Sequence, residues 1–462
     1  MFARHPLVPG APGRLGALLT LASALACLNA PALADTPPAT ATEAKPSATA
    51  TPSGPLSQAD AVQWALSRSP ALRALQAQAE AASAQARANS RPGLLGLSFT
   101  RLRQGDETEI ERHLSVGLLD LLVWPLRSAA ADRQIALQQQ SLALAVLNHA
   151  QSVRQQWVQA VSAQARERYQ GDVMAAATTA AELARRLHAS GQFSAVQRDE
   201  RAATAARAQL AQAVARNQAR REREALVRLI GLAGDEAREL RLPDTLPALP
   251  AAPRWTAEQV QQAAPERLDL KLAEARWRAL RGEAGATLAS SLVDVEAGWQ
   301  RSTSNSGAPA QMGPSLDLKL ISVDLGAARR AARQQSELAA LANWEQASIQ
   351  AESQLRERWG ELLTAHTTAR EATEVLTALR AQVLAEKLKL YNGMLIGPLE
   401  LLDEARSHRD SVLVAFDALR DYWLADAAMQ AAVDGSDAPA NASAARPAAA
   451  APANAPATHG GH

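Results

Sequence analysis

A single long stretch of helical periodicity limits the folds open to this chain. From Leu126 the sequence runs without proline or glycine to Tyr169, and after Gly171 the same periodicity continues to about His188. A helix over 126–188 would be roughly 95 Å long at the rise of an α-helix. A helix of this length does not fit within a compact domain, so the sequence predicts an elongated coiled-coil protein.

A second helix is predicted to pack antiparallel against this rod. The segment from Ser190 to Ser194 interrupts the periodicity, and helical patterning resumes over 195–232. The apolar residues of the first helix recur at coiled-coil spacing. They are Leu142, Val146, Val153, Trp157 and Ala160.

The period changes from helical to alternating just before the long helix. Leu95, Leu97 and Phe99 alternate with small or polar residues, and after a polar loop Leu114 and Val116 do the same. Alternation of this kind places apolar side chains on one face of a strand. The sequence therefore predicts a β-hairpin over 93–120.

The whole arrangement then occurs a second time. The first repeat is predicted over 56–232 and the second over 256–433, with Thr256 and the break at Pro265 corresponding to Ser57 and the break at Pro70. The elements of the second repeat follow the order of the first. They are a hairpin over 292–322, a long helix over 324–392 and a last helix over 398–433.

The segments around the repeats have a different composition. Residues 35–55 are mostly Ala, Thr, Pro and Ser, and 434–462 are mostly Ala, Pro, Asn and Gly, which predicts disorder at both ends. Residues 233–255 are predicted to be a proline-rich linker. An apolar stretch over 15–28 after two arginines, with small residues just before Asp35, predicts that 1–34 is a removed signal peptide.

The only cysteine, Cys27, lies inside this leader. Lipidation at Cys27 is an alternative to cleavage after Ala34, although Ala24-Leu25-Ala26 is a poor match to the pattern that precedes a lipidated cysteine. In either case the rest of the chain has no disulfide framework.

Composition and motifs exclude several classes of function. With 48 Lys and Arg against 47 Asp and Glu, the chain lacks the basic excess that holds nucleic-acid phosphates. No catalytic or cofactor-binding motif is present, so neither an enzyme nor a cofactor is expected. His459 and His462 are the only close histidine pair and a weak metal candidate at most.

Four strands in one chain cannot close into a barrel, and open strand edges are not tolerated in lipid. Three copies would supply twelve strands, an even number within the range of outer-membrane barrels. The predicted fold is thus mainly α with a small β part. Long antiparallel coiled-coil helices would form a periplasmic α-barrel, and two hairpins per chain would contribute to a trimeric transmembrane β-barrel. A periplasmic scaffold with soluble sheets is the alternative.

Several segments resemble the outer-membrane efflux protein (TolC) family. They are 391–405 (YNGMLIGPLELLDEA), 421–426 (DYWLAD), 321–329 (ISVDLGAAR) and 240–247 (LRLPDTLP). The resemblance implies a homotrimeric channel in the outer membrane of a Gram-negative bacterium, with a large periplasmic portion. It would passively conduct small molecules or metal ions delivered by an inner-membrane pump and a periplasmic adaptor.

The resemblance also implies roles for two groups of residues. Glu400 and Asp403 share a helix face, and in the family acidic residues at this point line the periplasmic entrance, where threefold symmetry would multiply them into rings. The alternative is a solvated face on which Asp403 pairs with Arg406. The second group consists of turn residues expected to dock the adaptor, namely Gly191, Ser194, Gly393 and Gly397.

Overall fold

The computed structural model describes residues 54–91, 96–104, 107–282, 293–304, 309–320 and 327–436. The predicted signal peptide, nearly all of the segment 35–55 and nearly all of the tail 434–462 lie outside these ranges.

The described elements follow one order in both halves of the chain. The first half contains α1 (Gln58–Arg68), α2 (Pro70–Ser90), β1 (Gly96–Gln104), β2 (Glu107–Gly117), α3 (Leu118–Ala189) and α4 (Ala195–Ile230). After the short helix α5 (Gly234–Glu239), the second half contains α6 (Ala257–Ala263), α7 (Leu268–Gly282), β3 (Val293–Ser304), β4 (Gln311–Leu320), α8 (Ala327–Arg370), α9 (Thr377–Asn392) and α10 (Pro398–Asp434).

The long helix α3 begins earlier than the sequence pattern indicates. It starts at Leu118, whereas the predicted start is Leu126, and the second strand ends at Gly117. Pro125 lies inside the helix. Because proline normally removes a helical hydrogen bond, the pattern placed the helix start after it. At 72 residues, α3 is roughly 108 Å long.

The long helix of the second half contains a π-helical turn that periodicity did not predict. Residues Glu371–Leu376 form this turn between α8 and α9. The hydroxyl of Thr377 donates a hydrogen bond to the carbonyl of Ala372, five residues back, at 2.7 Å. A single π turn shifts the helix register without ending the helix, so the rod continues to Asn392.

The segment predicted as a linker is part of the hydrophobic core. Leu240, Leu242 and Leu246 are all buried there, in one cluster with Trp157 of α3. The indole of Trp157 donates to the carbonyl of Leu56 at 2.9 Å. Prolines prevent a long helix in 233–255, but they leave the leucines between them available for packing, and composition alone did not reveal this.

Ion pairs tie the last helix, α10, to the rest of the helical body. Arg166 of α3 lies 2.7 Å from Asp417, and Arg254, which precedes α6, lies 3.0 Å from the buried carboxylate of Asp426. Burial raises the pKa of Asp426 above its ordinary value, and the charge of Arg254 opposes that rise only in part. Burial, with the nearby charge of Asp426, also raises the pKa of Tyr422 to about 12.

The break between the first two helices has the same geometry in both halves. Ser69 and Arg267 have matching extended conformations, with φ and ψ of −59° and 119° and of −57° and 135°. The break that corresponds to Ser69-Pro70 is therefore at Arg267, two residues beyond Pro265. Arg267 is fully buried, and its guanidinium donates two hydrogen bonds to Asp269 at 2.7 and 3.0 Å.

Each half ends at a glycine that packs against this break. Gly231 follows α4 and Gly435 follows α10, with φ of 82° and 74°. A Cβ atom at Gly231 would lie 2.8 Å from Cδ of Pro70, and one at Gly435 would lie 2.6 Å from the Asp269 carboxylate. Both positions need glycine for the left-handed backbone and for the close approach.

We predict that Gly231→Ala destabilises the protein more than Gly191→Ala does. Both glycines have positive φ, which costs alanine about 1 kcal/mol, but only Gly231 has atoms within 4 Å of the added methyl group. Thermal unfolding followed by far-UV circular dichroism measures the difference. Equal losses of stability in the two variants would contradict the packing of Gly231 against Pro70.

Candidate functional site

The two predicted hairpins join into one four-stranded antiparallel sheet in the order β1-β2-β3-β4. The central pairing, between β2 and β3, runs from Glu109 opposite Ser304 to Gly117 opposite Glu296. This pairing links the two halves of the chain. It leaves β1 and β4 as the edge strands, each with one row of backbone groups that has no strand partner within the described chain.

One side of this sheet, which we call the apolar face, exposes large hydrophobic side chains. The strand register places Leu97, Leu114, Trp299 and Pro314 in one row across all four strands. Leu97 is 81% exposed, and Leu316, in a neighbouring row, is 62% exposed. A soluble protein rarely leaves a continuous surface of this kind uncovered.

The opposite side, which we call the polar face, carries hydroxyl, amide and carboxylate groups. His113 Nε2 lies 2.6 Å from the hydroxyl of Ser315 and 3.9 Å from the carboxylate of Asp317. The backbone of Gly298 lies below this imidazole, where a Cβ atom would be 2.5 Å from His113 Nε2. The alternation predicted from the sequence thus separates an apolar from a polar surface.

Each long helical hairpin ends in a turn, which we call the first tip (190–194) and the second tip (393–397). The residues that follow the preceding helices, Ser190 and Gly393, have nearly the same conformation, with φ of −86° and −81° and ψ of 3° and 6°. In each tip the third residue donates its amide proton to a carbonyl five residues back, at 2.9 Å. The two tips therefore have equivalent backbones.

The second residue of each tip has a positive φ. In the first tip this residue is Gly191, with φ of 78°, and in the second it is Met394, with φ of 57°. The Met394 side chain is 93% exposed, and the neighbouring Leu395 is also exposed. A methionine in the left-handed region is strained, and here the strained residue presents apolar surface to solvent.

The N-cap residues of the helices after the tips are Ser194 and Gly397, which have matching ψ of 160° and 161°. Ser194 forms a capping box with Gln197, because the Ser194 hydroxyl accepts from the Gln197 amide and the Gln197 side chain accepts from the Ser194 amide. The residues predicted to dock an adaptor thus all have turn or cap positions. Their role in docking stays a prediction.

The carboxylates predicted to line an entrance have cationic partners within the chain. Asp403 lies 3.4 Å from Arg406, as the alternative interpretation requires, and Glu400 lies 3.6 Å from Lys387 of α9. The structure adds a residue that the sequence analysis missed. Glu404, one turn after Glu400, is buried, and Lys387 lies 3.4 Å from it.

Glu404 also pairs with Arg380 of α9 at 3.2 Å. The side chains of Glu400, Glu404, Lys387 and Arg380 therefore form one ion-pair network between α9 and α10 below the second tip. Sequence spacing shows only that Glu400 and Glu404 share a helix face. The cations lie on the antiparallel neighbour, so only the register of the helical hairpin identifies them.

The other predicted site residues lie outside the described ranges. These are Cys27, His459 and His462. Among the described residues, no group of three or more His, Cys, Asp or Glu side chains is arranged to hold a metal ion. The helices in the described ranges include none with both the length and the hydropathy of a membrane span.

Three solved structures to which this chain is similar are described as outer-membrane proteins or channels. VceC from Vibrio cholerae is 17% identical, with a TM-score of 0.67 over 82% of this chain and 96% of that one. The outer-membrane channel OprN is 17% identical, with a TM-score of 0.67 over 82% and 90%. For the Neisseria gonorrhoeae MtrE outer membrane channel the values are 18%, 0.63, 82% and 89%.

The chain has the fold of these outer-membrane channels. At the level of the fold, this confirms both the predicted class, mainly α with a small β part, and the resemblance to the outer-membrane efflux protein family. No protein-family model matches the sequence, and no curated protein matches it in a sequence search. Comparison of three-dimensional structures therefore detects a similarity that comparison of sequences, at identities of 17% and 18%, does not detect.

We predict that Glu404→Gln loosens the hairpin of α9 and α10, whereas Asp403→Asn has little effect. The first change leaves Lys387 and Arg380 without their buried partner, which costs on the order of 1–3 kcal/mol, while Asp403 is exposed and its ion pair contributes about 0–1 kcal/mol. Hydrogen exchange over 377–410 measures the loosening. Unchanged protection in the Glu404 variant would contradict a structural role for the network.

Proposed function

We propose that this protein is the outer-membrane channel of a tripartite efflux system. In this proposal three copies form a passive conduit that carries small molecules or metal ions from an inner-membrane pump and a periplasmic adaptor to the exterior. The observation that carries the proposal is the open four-stranded sheet with one exposed apolar face and one polar face.

The sheet needs partners at both edges if it lies in a membrane. In hydrocarbon, each unpaired backbone amide or carbonyl costs several kcal/mol, because no water replaces the lost hydrogen bond. Three sheets of four strands joined edge to edge would form a closed barrel of twelve strands. The apolar faces would then contact lipid and the polar faces would line a water-filled lumen.

The helices support the same assembly. Leu210 and Val214 on α4 are exposed apolar residues of the helical part of the chain. In a trimer they would be covered by a neighbouring copy, and the helices of three chains would extend the lumen as a tube through the periplasm. A periplasmic scaffold, the alternative, would leave the apolar face of the sheet in water.

We also propose roles for the predicted site residues. Glu400 and Asp403 would lie at the periplasmic entrance. Lys387 and Arg380 of α9, which pair with Glu400 and Glu404 of α10, would hold these two helices there in a closed arrangement. If so, the Glu404→Gln trimer should conduct more in planar bilayers than the Asp403→Asn trimer. The two tips, with Gly191, Ser194, Gly393 and Gly397, would contact the helical hairpins of the adaptor.

We predict that Leu316→Arg blocks assembly in the outer membrane and that Gln300→Arg does not. Leu316 lies on the apolar face, where arginine in lipid costs about 2–4 kcal/mol per chain, whereas Gln300 lies on the polar face. Membrane fractionation and the yield of a heat-modifiable trimer measure assembly. The Gln300 variant should also change the conductance.

Soluble wild-type protein that stays monomeric without detergent would overturn the proposed function. Equal assembly of the Leu316 and Gln300 variants would show that the apolar face does not contact lipid. A scaffold without a barrel predicts both of these results.

At the second tip, we predict that Met394→Gly weakens adaptor binding although it stabilises the turn. Glycine adopts the positive φ of this position without strain, so stability should rise by about 0.5–1 kcal/mol. The exposed apolar side chain is lost at the same time. Affinity for its periplasmic adaptor, measured by surface plasmon resonance, should fall. Unchanged affinity would remove the second tip from the docking surface.

A further inference from the structure

The loop end of the apolar face carries arginines in place of hydrophobic residues. Arg112 and Arg301 are direct partners in the register, in the row after the one that contains Leu114 and Trp299. Arg101 of β1 lies on the same face one row closer to the loops. All three side chains are exposed. We call Arg101, Arg112 and Arg301 the arginine rim.

On the strands that the structure describes, the register places no carboxylate on this side of the sheet. The register places the carboxylates of the described strands on the polar face. Those whose side chains the structure describes are Glu109, Glu111, Glu296 and Asp317, and the register places positions 107 and 294 on the same face. Within the described ranges no carboxylate forms an ion pair with a residue of the arginine rim. The two faces thus differ in charge sign as well as in polarity.

The pairing of Arg112 with Arg301 is unfavourable unless an anion lies nearby. Like charges directly opposite each other destabilise an antiparallel pair, and no carboxylate of the described residues offsets this repulsion. The Arg112 guanidinium lies 5.9 Å from the ring centroid of Phe99, which directs it along the apolar face. On the other side, Arg301 is paired with the exposed Met312.

We infer that the arginine rim binds the phosphate groups of an anionic lipid in the outer leaflet. The inference rests on the proposed function, which puts the apolar face in lipid. Successive rows lie about 7 Å apart along the strands, so a lipid whose acyl chains cover Leu97, Leu114 and Trp299 would present its headgroup beside the rim. The planar guanidinium fork suits phosphate oxygens better than lysine does.

A lipid fits this surface better than a soluble phosphate. Phe99 and Met312 flank the arginine pair and are both exposed, so the ligand must cover apolar surface as well as neutralise charge. A lipid phosphate supplies both properties in one molecule. Arginine near an anionic membrane surface gains attraction that falls off within a Debye length, which restricts the effect to the level of the headgroups.

The test compares charge removal at the rim with the same charge removal elsewhere. The rim variant is Arg112→Gln with Arg301→Gln, and the control is Arg238→Gln with Arg356→Gln, two exposed arginines of the helical part. Native mass spectrometry of detergent-purified protein measures apparent dissociation constants for diphosphoryl lipid A, for phosphatidylcholine and for inorganic phosphate. We expect lipid A to bind the rim variant on the order of tenfold more weakly than the wild type.

The control should bind lipid A as the wild type does. The variant Arg112→Lys with Arg301→Lys, which keeps both charges, should retain part of the affinity. The inference would be overturned if the rim variant bound lipid A as tightly as the wild type, or if the control lost as much affinity as the rim variant. It would also be overturned if the wild type bound phosphatidylcholine as tightly as lipid A. Inorganic phosphate that competes with lipid A would overturn it as well, because the ligand would then be a free anion.

Conductance separates this inference from the proposed function. If the wild type and the rim variant both form conducting trimers and bind lipid A equally, the inference alone is wrong. If the wild type forms no conducting trimer, the proposed function is wrong, and the lipid A constants still decide whether the arginine pair binds lipid phosphate.

Discussion

The edge strands β1 and β4 each carry a row of backbone amides and carbonyls that has no strand partner within the described chain. In water such a row is a risk of uncontrolled association, and in lipid it is not tolerated. In the proposed trimer, further copies would pair with both rows at once and would bury no new surface on the two faces. The long helices would then extend from the sheet as a tube around the lumen.

Because the two halves of the chain repeat the same order of elements, the two long helical hairpins have equivalent ends. The two tips share backbone conformation from the end of one helix to the start of the next. His188 lies two residues before Ser190 and Tyr391 lies two residues before Gly393, so these two residues occupy equivalent positions. The glycines that end each half, Gly231 and Gly435, pack against equivalent breaks near Pro70 and Asp269. The two tips differ at their left-handed residue. The first tip has glycine at its left-handed residue, and the second has a strained methionine.

Local patterns predicted the elements better than the contacts between them. Alternation is a local property of the backbone, so the hairpins around Leu97 and Trp299 could be recognised from sequence, and so could the rods. The start of α3 could not, because Pro125 is tolerated inside a helix that tertiary packing supports. The pairing of β2 with β3, the burial of Leu240 and the partners of Glu404 all join residues far apart in sequence. No periodicity encodes such contacts.

The charged residues of the sheet follow the alternation of apolar and polar residues along the strands. They also distinguish one end of the apolar face from the other. A strand that faces lipid on one side and water on the other needs only apolar and polar residues, yet here arginines occupy the apolar face and carboxylates the polar face. Arginines spread at random over the two faces would find carboxylates beside them. The pair Arg112 and Arg301 lies at one end of the face only, beyond Leu114 and Trp299. Such a position suits a side chain with an apolar stem and a charged head, where hydrocarbon gives way to headgroups.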